Sequence, residues 1–129
     1  MKTKPKIIID IDGTLCSLKK KKESYSSLKP NVKVLRTLRF YKKKGFYIVL
    51  YTARNMKSFQ GNMGLINAVT APLLLSWLKR YRIPFDEIHY GKPWSGLDGF
   101  YVDDRVVRPK EFCNYSYKKI LGILNESNE

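Results

Sequence analysis

Three short apolar runs, each closing on a polar or acidic residue, punctuate the chain. Ile7-Ile8-Ile9 leads into Asp10, Phe46-Tyr47-Ile48-Val49-Leu50-Tyr51 into Thr52, and Gly99-Phe100-Tyr101-Val102 into Asp103-Asp104. Continuous apolar runs of this length predict strands buried on both faces, as in a parallel sheet. They place a first strand at 6–11, a second at 46–52 and a later one at 100–103, with a further short strand at 86–90. Helical signals fall between them. Asn31 offers an N-cap, Val34, Leu35 and Leu38 supply part of an apolar stripe, and Gly45 is a natural stop. A second helix is expected near 65–81, where Pro72 marks either a restart capped by Thr70 or a kink. Trp77 and Leu78 belong to its core face, and Ile120, Leu121 and Leu124 give a final helix its apolar side.

Alternating strands and helices predict an α/β fold: one Rossmann-like domain over residues 1–129, a parallel sheet flanked by helices with right-handed crossovers. Residues 17–30 read as a polar flap, too short for a folded cap. The region Leu65 to Leu78 is interrupted by Asn67, Thr70, Pro72 and Ser76, so no membrane segment is expected. With 43% hydrophobic and 28% charged residues, composition is that of an ordinary globular chain. Two cysteines, Cys16 and Cys113, lack metal-type spacing, and no export signal precedes Asp10. A cytoplasmic location is expected, with Cys16 filling space behind the first loop.

Chemistry gathers at the strand ends, where ligands bind in such sheets. Carboxylates two apart on a strand leave on the same side, so Asp10 and Asp12 face one space, and Gly13 lets the chain turn behind them. One ionised carboxylate can attack phosphorus while a second moves the proton of the leaving oxygen. Thr52 offers a hydroxyl to a phosphate oxygen. Lys92, in Tyr90-Gly91-Lys92-Pro93, can hold nucleophile and phosphate together. Asp103-Asp104 is a pair whose mutual repulsion a cation would relieve. Alternation alone does not decide which of the two faces inward.

In this order the residues resemble the four motifs of the haloacid dehalogenase superfamily, over nearly the whole chain. Tyr51-Thr52-Ala53-Arg54-Asn55-Met56, Gly61-Asn62, Gly91-Lys92-Pro93-Trp94, Gly99 to Arg105 and Arg108-Pro109-x-Glu111-Phe112 are similar to small bacterial phosphatases of capsule and surface-polysaccharide biosynthesis. The resemblance implies a Mg²⁺-dependent phosphohydrolase in which Asp10 is nucleophile and Asp12 general acid and base, supported by Thr52 and Lys92. It also implies Mg²⁺ held by Asp10, the Asp12 carbonyl and Asp103 or Asp104, with Asp104 favoured. Where many relatives carry Thr-Ser or Thr-Gly, Ala53 and Arg54 follow Thr52. Arg54, with Asn55 beside it, is thus a candidate contact for an anionic substrate.

Charge leaves a second reading open. Twenty-five basic against eleven acidic residues give +14, with Lys19 to Lys22 as a solvated run in the flap. Such a field attracts small phosphorylated substrates and nucleic acid alike. A phosphorylated sugar or related polysaccharide intermediate is the expected substrate. A polynucleotide end phosphatase or nucleotidase is the alternative enzyme, and a non-catalytic basic binding module the third reading. His89, the sole histidine, is expected to pack or hydrogen-bond rather than react.

Overall fold

The computed structural model of the chain describes residues 4–126. They form two compact units, one ending at Trp94 and the other beginning at Ser95. The first unit holds a three-stranded parallel sheet in the order β1 (Lys6–Asp10), β2 (Tyr47–Thr52), β3 (Glu87–Tyr90). The α/β expectation is met. Register sets Asp10 opposite Tyr51 and Thr52 opposite Tyr90, so all three strands finish at one edge.

Helix α1 (Val32–Lys43) starts at the predicted cap. The Asn31 side-chain oxygen accepts the N–H groups of Lys33 and Val34 at 3.1 and 3.2 Å, an arrangement that contributes about 1 kcal/mol. It ends in a Schellman motif: Phe46 N–H donates to Tyr41 O at 3.1 Å and Gly45 N–H to Lys42 O at 3.0 Å. The Phe46 and Tyr41 rings meet edge to face at 4.8 Å, the apolar contact that accompanies this cap. Val34, Leu35, Leu38 and Tyr41 are buried on one side of the helix. The chain then enters β2, whose Ile48, Val49 and Leu50 are all core residues.

The second helical region departs from expectation at its centre. It runs as α2 (Met63–Leu65), a π turn (Ile66–Thr70) and α3 (Ala71–Arg80) without a break. Pro72 has no N–H to give the preceding turn, and the wider π spacing absorbs that loss where a restart or a kink was expected. Thr70 does not cap α3; its hydroxyl donates to the Asn55 side-chain oxygen at 2.7 Å. Trp77 and Leu78 are buried as expected, and the Trp77 indole donates to Leu28 O at 2.7 Å, fixing the end of the flap. Within the flap, a 3₁₀ turn (Tyr25–Ser27) packs near α3. The lysine run is ordered into a turn in which the Glu23 carboxylate accepts Lys20 N–H at 2.9 Å. Among the described residues no helix is long and apolar enough to cross a membrane.

The second unit contains α4 (Pro109–Asn114) and α5 (Tyr117–Glu126), with Phe112, Ile120 and Leu124 buried. The strand expected at 100–103 is not formed. A strand exists through its ladder, and Phe100 to Asp103 have none; Phe100 and Val102 are exposed.

Asp86 carries the β2 and β3 pairing one step beyond the ladder. Its N–H donates to Ile48 O at 2.8 Å, its carboxylate accepts Ile48 N–H at 2.8 Å, and Lys42 pairs with it at 2.7 Å. The Ile48 N–H, then Lys42, hold the Asp86 carboxyl below its ordinary value of 3.8. A carboxylate with a lowered folded-state pKa stabilises in full above its unfolded value, and that stability is lost as pH falls through the folded value. Asp86→Ala should therefore lower Tm at pH 7, and the gap to wild type should close below about pH 3.8. Thermal melts between pH 7 and pH 2.5 test this, and a gap constant across that range contradicts it.

Candidate active site

Two adjacent strand ends and the turn after a third build the site. Beyond β1 the chain alternates: Asp10 half-exposed, Ile11 fully buried, Asp12 partly exposed. Ile11 anchors the segment and turns both carboxylates away from the core. Gly13, at φ +89°, then closes a tight loop in which its N–H donates to Cys16 O at 2.8 Å, a conformation that side chains oppose. At the end of β3, Gly91 (φ +86°) turns the chain so that Lys92 N–H reaches Thr52 O at 3.1 Å. A Cβ at Gly91 would stand 2.9 Å from the Met63 sulfur.

Each carboxylate has its own cation. Lys92 Nζ lies 3.7 Å from Asp10 Oδ1. Arg54 grips Asp12 with two donors, Nε to Oδ2 at 3.1 Å and Nη2 to Oδ1 at 2.8 Å, the bidentate geometry available to a guanidinium. The Arg54 side chain is only 3% exposed, so this pair is shielded from water. Above it the Tyr25 ring, brought by the flap, stands 4.2 Å from the guanidinium carbon. Thr52 is buried, and its hydroxyl accepts Arg54 N–H at 3.0 Å, which leaves the hydroxyl proton to donate.

Burial raises the Asp10 carboxyl above 3.8 in spite of Lys92, which acts in the opposite direction, and the like charge of Asp12 adds to the rise. Cys16 is space-filling as expected: buried, with Sγ 3.6 Å from Asp12 Oδ1, its thiol is pushed up to about 12 by burial and then by Asp12.

Asp10, Asp12, Thr52, Arg54 and Lys92 are thus brought together. Arg54 was expected to contact substrate, and the structure pairs it with Asp12. Asn55 sits at φ +63° with its side-chain oxygen on Thr70, which ties the loop after β2 to the π turn. Asp103 and Asp104 belong to the second unit and are exposed there; the Arg105 N–H, at 3.1 Å from Asp103 Oδ1, is the foremost cause holding the Asp103 carboxyl low. Among the described residues no three His, Cys, Asp or Glu side chains gather as a metal site. His89 is exposed and pairs with Glu87 at 2.8 Å, away from this chemistry. Two participants escaped the sequence reading. Tyr25 lies in a flap whose polarity gave no sign of a stacking residue, and the Tyr90 hydroxyl is buried without a partner among the described residues.

A three-stranded parallel α/β unit with paired acids, a hydroxyl and a lysine at its strand ends defines the class of site. The chain is 43% identical to a target protein from Vibrio cholerae known from its crystal structure, over 95% of this chain and 98% of that one, with a TM-score of 0.89. It belongs to one family with that protein. A chain of the Pnkp1/Rnl/Hen1 complex is 22% identical over 88% of this chain and 35% of its own length, with a TM-score of 0.51, which shows a shared fold. No protein-family model and no curated protein matches.

An acid whose folded-state pKa is raised destabilises in full above that value, and the penalty vanishes below its unfolded value. Asp10→Asn should therefore raise Tm of the metal-free protein at pH 7, with the difference gone below about pH 3.8. A Tm lowered at pH 7 contradicts this assignment. Tyr90→Phe removes an unpartnered hydroxyl and should be neutral or stabilising by up to about 1 kcal/mol in denaturant titrations; a loss beyond about 1 kcal/mol would show that the hydroxyl is satisfied.

Proposed function

We propose that the chain is a phosphohydrolase of the haloacid dehalogenase type, working through an aspartyl-phosphate at Asp10. The observation that carries this reading is the pair of acids on one strand end, each with a separate cation: Lys92 at 3.7 Å on Asp10, Arg54 bidentate on Asp12. Asp10 attacks phosphorus and expels the alkoxide, splitting one displacement into two. Asp12, protonated at the start, gives its proton to the leaving oxygen and then takes one from the water that attacks the aspartyl-phosphate; the bond between Asp10 and phosphorus breaks, releasing phosphate and restoring both acids. The Thr52 hydroxyl and Lys92 ammonium steady the phosphoryl oxygens.

The donor set suits Mg²⁺. Asp10 is burdened by burial and by the charge of Asp12, an excess a divalent cation relieves, and its carboxylate with the Asp12 carbonyl offers the few hard oxygens Mg²⁺ takes from protein. The family resemblance implies one further ligand, Asp104 or Asp103, both of which belong to the second unit. When bound, the ion would neutralise phosphate charge and orient the ester.

A phosphorylated sugar or related intermediate of surface-polysaccharide biosynthesis is the substrate favoured by the motif likeness around Asn55 and Gly91 to Trp94, in a cytoplasmic setting that two free thiols support. The net charge of +14 favours, as second reading, a polynucleotide end. Comparing kcat/KM for sugar phosphates, nucleotides and phosphorylated oligonucleotides separates them.

Purified, folded Asp10→Asn should show no turnover of phosphate esters, and chelation should stop the wild-type enzyme until Mg²⁺ is restored. Wild-type rates in the variant, or full activity in excess chelator, would overturn the mechanism. Arg54→Lys keeps the charge but loses the fork that aims Asp12. Its kcat should fall at least about tenfold more on an alkyl phosphate, whose leaving oxygen needs a proton, than on p-nitrophenyl phosphate. Equal losses on both would show that Arg54 does not act through Asp12.

A further inference from the structure

From Ser24 to Phe85 the chain contains no acidic residue, while it carries twelve lysines and arginines. Within this stretch Arg54 and the Asp86 partner Lys42 have acidic contacts. The basic residues of this stretch are therefore little offset by acids within it. Between α1 and the C-terminal end of α3 lies an open groove of about 510 Å³, lined by Lys29, Arg36 and Arg39 with Val32 and Tyr81. Leu35 closes the groove from the core side. None of the lining residues belongs to the candidate active site.

The groove's parts are held in place. Arg39 donates to Tyr81 O at 3.1 Å, which ties the two helices together across the groove. The Tyr81 ring packs edge-on against the buried Trp77 at 5.3 Å, so the aromatic is a fixed wall, half-buried at the end of α3. Arg36 and Lys29 are exposed beside it.

We propose that this groove binds single-stranded nucleic acid. A strand places phosphates at regular spacing against cations and a base against an aromatic ring, and no acid lines the groove to oppose it. Its volume suits one or two nucleotides. A flat anionic membrane presents charge but cannot enter a concave groove to reach a half-buried ring, so the strand is the better occupant. The proposal is independent of the phosphatase reading and concerns a different surface from the Lys19 to Lys22 run.

The test is fluorescence anisotropy of a labelled 12-nucleotide oligo(dT) on the full chain between 25 and 200 mM KCl. Each neutralised phosphate of a single strand contributes about −0.7 to the slope of log K against log salt, so the triple variant Lys29→Gln/Arg36→Gln/Arg39→Gln should flatten the slope by about two. Arg36→Gln alone, at an exposed site that bears on no described hydrogen bond, should flatten it by about 0.7 and guards against loss of fold in the triple variant. Tyr81→Ala should weaken binding at least about fivefold, and Tyr81→Phe should restore it. The proposal is overturned if Lys19 to Lys22 replaced by Ser abolishes binding while the groove variants bind as wild type. It is equally overturned if the groove variants lose binding to vesicles containing phosphatidylglycerol but keep their affinity and slope for oligo(dT).

Discussion

The bidentate pair between Arg54 and Asp12 is the interaction on which the site depends. A guanidinium that is 3% exposed survives burial only because Asp12 meets it with both oxygens and Tyr25 covers it. Removing one partner of such a pair costs about 3–5 kcal/mol, because the other charge is left without water or counterion. Three segments converge on it: the loop after β1 through Asp12, the loop after β2 through Arg54, and the flap through Tyr25. The Arg54 N–H in turn fixes the Thr52 hydroxyl, and Thr52 O accepts the N–H of Lys92. One pair thus organises the acid, the hydroxyl and the lysine.

The two acids stand in different surroundings. Asp12, on a bidentate cation, is held in one orientation. Asp10 meets the Lys92 ammonium at 3.7 Å and the Ile11 N–H, with no bidentate partner, and bears a burial penalty. A carboxylate held loosely and poorly solvated is suited to attack, and one held firmly is suited to directed proton transfer.

Periodicity and punctuation carried much of the fold. Apolar runs located β1 and β2 to within one residue, the short segment expected at 86–90 became β3, Asn31 marked the start of α1, and the Gly45 stop was followed by Phe46 packing on Tyr41. What failed was pairing and local compensation. The run at Phe100 has the composition of a strand, but a strand needs a ladder partner that composition cannot supply. Pro72 signalled a disturbed helix; that a π turn would absorb it depended on Thr70 bonding Asn55 fifteen residues away. In the site, spacing located Asp10, Asp12, Thr52 and Lys92 because strand geometry fixes them. The partner of Arg54 was illegible, since it lies forty-two positions distant and depends on how two loops meet. Tyr25 escaped for the same reason.

In the proposed mechanism Asp10 itself carries the phosphoryl group. Acid quenching of the enzyme during steady turnover of a phosphate ester with Mg²⁺, followed by borohydride reduction and peptide mass mapping, reads this directly, because an acyl phosphate is reduced to an alcohol and a free carboxylate is not. Homoserine is expected at position 10 in quenched, turning-over enzyme and aspartate there when substrate is omitted. Unmodified aspartate at position 10 in enzyme that is demonstrably hydrolysing the ester, with homoserine found at position 12 instead, would contradict that mechanism.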